Sequence, residues 1–342
     1  VSDSERWPTL VGFGAAVLVL AALLALVGAE DVITEFQKAR PSVVLAVVVA
    51  ATVWLSAWGL ALQAVLGAMG VRIGPLRAIG VFTGAMFANN VTPFGQAGGE
   101  PVSALLISKA TDCEYETGLA AIASIDVLHF MPSIGFAIVG LGVFGTRVVA
   151  GDQNLVAGLV AVTVLCLGFV LAAVAGWRYR YEIERQAERV VPGVVRRIVG
   201  IVPRVTPPSR ANVRRRIGRF FDSIDRVASD PATLVRASVL SAIGWFALSM
   251  SLWLSLVAIG TTVPVVAVLV VIPLASILGM TPFPGGTGPV ESGTVGLILS
   301  LTAASPAAAT AAVVIHRGIT YWGTTLAGWT ITTLVGVRRG IA

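Results

Sequence analysis

One motif occurs twice in this chain, each time inside a strongly apolar stretch. Thr92-Pro93-Phe94-Gly95-Gln96-Ala97-Gly98-Gly99-Glu100-Pro101 is echoed by Thr281-Pro282-Phe283-Pro284-Gly285-Gly286-Thr287-Gly288-Pro289-Val290-Glu291. Proline removes a backbone donor and clashes with the preceding helical turn, and paired glycines weaken a helix further. Each copy therefore predicts unwound backbone between two shorter helices. At membrane depth such backbone survives only against protein or a wet cavity. Two interruptions in corresponding halves of a chain point to a transport site.

The surroundings of the motifs make a bilayer the relevant solvent. Hydrophobic residues fill 56% of the 342 positions and charged residues 12%. The mean hydropathy of +0.87 lies outside the range of a soluble domain. Apolar runs long enough to cross about 30 Å of hydrocarbon occur near 9–28, 42–68, 117–144, 154–177, 236–260 and 306–337, the last long enough to be kinked or split. The motif regions, Leu76 to Ala110 and Pro264 to Ala303, are each too short for two crossings and predict re-entrant hairpins. In the second, half-helices are expected over Val265 to Met280 and Val290 to Leu301. The expected fold is an all-α polytopic membrane protein with six full spans plus two re-entrant helical hairpins. Its single domain divides into an inverted repeat of about four helical elements, 1–150 and 151–342.

Charge sets the orientation. Arginines crowd the insert 178–232, from Arg178 to Arg226, so the positive-inside rule places it in the cytoplasm with both termini. Glu30, Asp31 and Glu35 then lie outside, and a cell-membrane location follows. Prolines at 203, 207 and 208 split the insert into two amphipathic segments, Arg180 to Ile201 and Arg210 to Val227. These are expected on the membrane surface, either setting topology or gathering anionic headgroups. Their place beside membrane spans accounts for the net charge of +6 without nucleic acid. Cys113 and Cys166 are too few and too separated for a disulfide framework or a metal cluster. Neither a metal nor another cofactor is expected.

The residues with chemistry to offer cluster in and after the motifs. Glu100 and Glu291 close the two copies, where each would begin a half-helix. A carboxylate there can cap orphan amides, and an ionisable group inside the membrane also reads as a functional site. Gly98, Gly99, Gly285, Gly286 and Gly288 either allow close helix packing or turn consecutive amides toward an anion such as a lipid phosphate. Asn90, with Asn89, ends the first half-helix, where its amide can cap carbonyls or touch a headgroup, as can Gln96. Asp126 and Arg317 fall some thirty-odd residues after Pro93 and Pro282, deep in apolar spans. A lone charge there costs about 3 kcal/mol on insertion scales, so an Asp126–Arg317 pair is expected, structural or substrate-gated. Arg317 is the candidate for phosphate, its planar fork matching phosphate oxygens. His129 and His316 read as hydrogen-bonded residues between helices, and the tryptophans as interfacial anchors or filler.

The run from Pro93 to Glu100, the run from Pro282 to Glu291 and Arg317-Gly318-Ile319-Thr320-Tyr321-Trp322 resemble the lysylphosphatidylglycerol synthase transmembrane region, a flippase-like integral membrane domain family. The resemblance covers nearly the whole chain. It implies movement of an anionic or zwitterionic phospholipid, or an isoprenoid-phosphate lipid, between leaflets by alternating access, with the hairpin motifs, Arg317 and Tyr321 along the path. Membrane lipids are then the partners, together with a lipid-synthesis enzyme or glycosyltransferase. The alternatives are a secondary transporter of a small anionic solute and a non-transporting scaffold for lipid-linked glycosylation. An enzyme is not expected, because Ser292 sits in Glu-Ser-Gly rather than in a nucleophile elbow.

Overall fold

The computed structural model describes residues 25–92, 96–149, 174–176, 178–199 and 209–339, with 21, 164, 167, 168 and 171 besides. The spans expected near 9–28 and 154–177 lie mostly outside these residues, as do Pro93, Phe94, Gly95 and the side chain of Gln96. Among the described residues every regular element is helical.

Two 28-residue helices form the axis of the molecule, α2 (Pro41–Ala68) and α8 (Pro231–Ala258), with the short α1 (Ala29–Gln37) preceding α2. Each long helix opens on proline at its first turn, where the missing N–H costs nothing. Each is followed by a glycine in left-handed backbone, Gly70 at φ 83° and Gly260 at φ 84°. They run antiparallel. The Arg40 amide before α2 donates to Ala258 O at the end of α8 (3.0 Å), and Trp58 Nε1 in α2 donates to Ser241 O early in α8 (3.2 Å). Both are long and apolar enough to cross a membrane, as is the Tyr115–Phe136 part of α5 (Tyr115–Val149).

Each motif region separates two helices, although in the first Gly98, Gly99 and Glu100, expected in the break, are already helical. α3 (Pro75–Val91) packs on α4 (Gln96–Thr111), and α9 (Val265–Ile277) on α10 (Pro289–Leu301). Two 3-10 turns, Leu278–Met280 and Pro284–Gly286, fill the second break. Helices of 13 to 17 residues extend about 20 to 25 Å, short of a full crossing. The 306–337 segment is not cut but bulged. α11 (Pro306–Arg317) continues through a π-helical stretch, Gly318–Gly323, into α12 (Thr324–Arg339).

The insert forms α6 (Arg180–Val199) and α7 (Arg210–Ala228), close to the expected bounds. The expectation that α7 lies on the membrane surface needs correcting. Its apolar face, with Phe220, Ile224 and Val227, joins the protein core. Charge holds it there: Arg216 pairs with Glu116 at 3.0 Å, and Arg219 pairs with Glu114, both acids beside the start of α5. α6 keeps Tyr181, Ile183, Val190 and Val194 exposed.

Candidate substrate cavity

A cavity of about 190 Å³ opens where α2, α3, α5, α8, α9 and the α11 bulge converge. One wall is aromatic. Trp58 stands edge-on to Trp54 and Trp245, each with ring centres 5.5 Å away, and stacks on His129 at 4.0 Å. The Trp58 indole lies over Gly244, where a Cβ would collide with it. Two histidines are fixed by one helix: His129 Nδ1 meets Ser241 Oγ and His316 Nδ1 meets Ser251 Oγ, both at 2.6 Å, and both serines belong to α8. The histidines are thus hydrogen-bonded between helices, as expected.

The opposite wall is where the end of α3, just before the first motif, meets the second motif. Glu291 caps α10 by accepting the Gly288 amide on Oε2 at 2.6 Å, and its Oε1 accepts Arg317 Nε at 2.7 Å. Both side chains are largely buried, 6% and 16% exposed. Arg317 Nη2 also donates to Gly285 O at 3.3 Å, and the guanidinium lies 4.4 Å from the centre of the Tyr321 ring. The Tyr321 hydroxyl shares its proton between Asn90 O (3.0 Å) in the first motif region and Pro284 O (3.4 Å) in the second. Asn90 Nδ2 in turn donates to Thr325 Oγ1 at 2.8 Å. Gly285, at φ 55°, presses against the Asn90 backbone, which a Cβ would meet at 3.1 Å, and against the Tyr321 ring.

Several expectations change in this setting. Arg317 and Asp126 line the same cavity but do not pair with each other: Arg317 takes Glu291, the nearer carboxylate along the second hairpin. Glu100 is not a helix-start cap. α4 begins one turn earlier at Gln96, which turns Glu100 toward α5, and its carboxyl lies within hydrogen-bonding reach of Asp126. The amides of Gly286 and Gly288 are donated to Phe283 O and Glu291 and so serve the loop's own shape rather than an open anion nest. Gly99 gives Asn89 room, for a Cβ there would collide with its backbone and side chain. Of the motif glycines, Gly285 lines the cavity; Gly98, Gly99, Gly286 and Gly288 stand outside it.

The aromatic wall was not singled out from sequence, and Trp54, Trp58 and Trp245 are buried rather than interfacial. Its trace is Ser241, Ser249, Ser251 and Ser255 of α8, all fully buried, which mark the face turned inward. Among the described residues, no three His, Cys, Asp or Glu side chains are grouped to hold a metal.

Comparison with known proteins agrees with this architecture. The family described as the lysylphosphatidylglycerol synthase TM region matches residues 10–328. Two membrane proteins of Methanothermobacter thermautotrophicus, both named UPF0104, are 27% and 25% identical to this chain. The first alignment spans 90% of this chain and 89% of its relative, the second 86% and 84%. Glycosyltransferase AglD of Haloferax volcanii is 26% identical over 92% of this chain, which spans about half (52%) of that protein.

Proposed function

We propose, from the premise that this chain belongs to the lysylphosphatidylglycerol synthase transmembrane-region family, that it is a lipid translocase. The headgroup of an anionic or zwitterionic phospholipid, or of an isoprenoid-phosphate lipid, passes through the cavity while the tails stay in the bilayer. Tyr321 carries the reading: one hydroxyl bridges Asn90 and Pro284, so the two interrupted hairpins meet at a single polar point. The antiparallel course of α2 and α8 supports an inverted repeat, whose halves rock about a central site in alternating access. Both hairpins are then re-entrant, and the basic α6 and α7 lie with both termini in the cytoplasm of a multi-pass protein.

Arg317 keeps N–H groups beyond the two it gives to Glu291 and Gly285, and these serve a phosphate oxygen. Glu100, Asp126 and Glu291 supply negative charge for a cationic headgroup or a coupling proton. The test is dithionite accessibility of fluorescently labelled phosphatidylglycerol in proteoliposomes. Wild type is expected to exchange the label between leaflets, and Arg317→Ala to abolish exchange while still inserting. Exchange no faster than in empty liposomes overturns the translocase; undiminished exchange by the variant removes Arg317 from the path. The similarity to AglD favours a second reading, a non-transporting scaffold for lipid-linked glycosylation. That reading predicts partner binding that survives mutation of both motifs. A transporter of small anions would instead show flux of soluble anions.

A further inference from the structure

We propose that the carboxyl groups of Glu100 and Asp126 form a proton-binding site that couples movement of the headgroup to movement of one proton. The inference rests on the translocase reading of the same cavity. The two acids belong to different elements, Glu100 to α4 of the first hairpin and Asp126 to α5, and their side chains are within hydrogen-bonding reach. An ionised carboxylate only accepts hydrogen bonds, so a bond between two carboxyls requires a proton on one of them.

Among the described residues no cation takes the place of that proton, and the ion pairs involve neither acid. The titratable groups around the cavity are His129 on α5, His316 and Arg317 on α11, and Tyr321 in the bulge, with Glu291 of α10 behind Arg317. Arg317 is held by Glu291, and the histidines by Ser241 and Ser251. The walls from α2, α3, α8 and α9 contribute no titratable side chain. Lys109 lies more than two turns further along α4, and Glu116 nearly three turns before Asp126 on α5. Arg216 and Arg219 of α7 are engaged by Glu116 and Glu114.

The site is also built to be filled. Asp126 Oδ2 is buried without a hydrogen-bond partner, and Asn89 Oδ1, His129 Nε2 and Trp54 Nε1 are orphaned in the same way. All four residues line the one cavity. Buried polar atoms are seldom left unpaired, and these four give water a place to stand while it carries a proton to Asp126. Loading joins α4 to α5 through the shared proton. Release to the other side leaves two facing anions, which push the first hairpin away from α5.

Infrared spectroscopy of the purified full chain at neutral pH reads the site without transport. The wild type is expected to show the C=O stretch of a neutral carboxyl, shifted in D2O. Asp126→Asn and Glu100→Gln each leave one carboxylate facing an amide donor, so the band should vanish in both. The wild-type spectrum decides even where a variant fails to fold: absence of the band overturns the proposal, as does its survival in both folded variants. Proteoliposomes with labelled phosphatidylglycerol read the coupling. An imposed pH gradient should speed wild-type exchange several-fold, a response missing in both variants. Exchange indifferent to the gradient refutes the coupling and leaves the translocase standing. A neutral band with no exchange at all refutes the translocase and leaves the acid pair. Loss of the band on adding ethanolamine, with no gradient response, assigns the pair to an ammonium group and overturns the proposal.

Discussion

Glu100 and Glu291 stand 191 positions apart, as do Asp126 and Arg317, yet the two pairs are electrostatic opposites. In the second half an acid meets a base: Glu291 holds Arg317 and caps its own helix. In the first half an acid meets an acid, and one carboxyl oxygen of Asp126 is left without a partner. The spacing is shared but the charge is not. The acid that ends the second motif is satisfied by contacts the protein supplies itself, whereas beside the acid that ends the first, Asp126 keeps a buried oxygen without a hydrogen-bond partner. In the proposed translocase, the satisfied site would serve as a fixed point and the unsatisfied one as a point whose occupancy changes.

The largest effect is expected at the fixed point. Removing one partner of a buried pair leaves the other charge uncompensated, at a cost of about 3–5 kcal/mol. Arg317→Ala should therefore lower the thermal stability of the detergent-solubilised protein far more than Asp126→Asn, which removes no partnered charge. Pairing Arg317→Met with Glu291→Gln should recover much of the loss, because no charge is stranded and the glutamine oxygen can still accept the Gly288 amide. Equal destabilisation by Arg317→Ala and Asp126→Asn would erase the contrast between the halves.

Next in size is the backbone of the second break. Gly285 combines left-handed backbone with a Cβ position already occupied by Tyr321 and Asn90. Alanine there should cost about 1–3 kcal/mol from backbone strain alone, read as a lower melting temperature. Gly296, inside α10 with open space where its Cβ would go, should gain up to about 1 kcal/mol on the same change. Opposite signs would localise the constraint to the junction of the motifs rather than to the hairpin as a whole.

What the sequence made legible follows the same division. The breaks at Thr92 and Thr281 and the long α2 and α8 follow from proline and glycine set against an apolar background, which are local signals. The partners are not local. Asp126 and Arg317 follow their motifs at similar spacings and are of opposite charge, but which carboxylate reaches Arg317 depends on how α10 leans on α11. That geometry is fixed by the capping of Gly288 and the bulge at Gly318–Gly323, not by spacing. Glu100 departs from its expected place for a related reason: one extra turn of helix from Gln96 moves it from a helix start to a helix face. The tryptophans carry no signal of burial in their own identity, since Trp54 and Trp58 serve an interface as readily as an interior. Only Gly244 and the serines of α8 reveal the surface they meet.

Tyr321 tests whether the halves communicate through their point of contact. Tyr321→Phe keeps the ring under Arg317 but removes the hydroxyl that reaches Asn90 and Pro284. The expected stability loss is about 1 kcal/mol, smaller than at Gly285, together with slowed lipid exchange. Unchanged exchange would mean that the hairpins move without this link.

The smallest effect separates the starts of the two axial helices. α8 is capped by Asp230, whose Oδ2 accepts the Thr233 hydroxyl at 2.7 Å and whose Oδ1 accepts the amides of Ala232 and Thr233. α2 has no side-chain cap; Arg40 instead ties it to the end of α8. The Thr233 hydroxyl, then the Thr233 and Ala232 amides, hold the Asp230 carboxyl below its ordinary range. A depressed folded value means the cap is fully effective above the unfolded pKa of about 3.9 and is lost as pH falls through the folded one. Asp230→Asn keeps an acceptor that does not titrate. Between pH 7 and pH 3 the melting temperature of the wild type should fall slightly more than that of Asp230→Asn, as the advantage that the ionised cap holds at pH 7 is lost on acidification. Parallel curves would mean that α8, like α2, is fixed by its packing rather than by its cap.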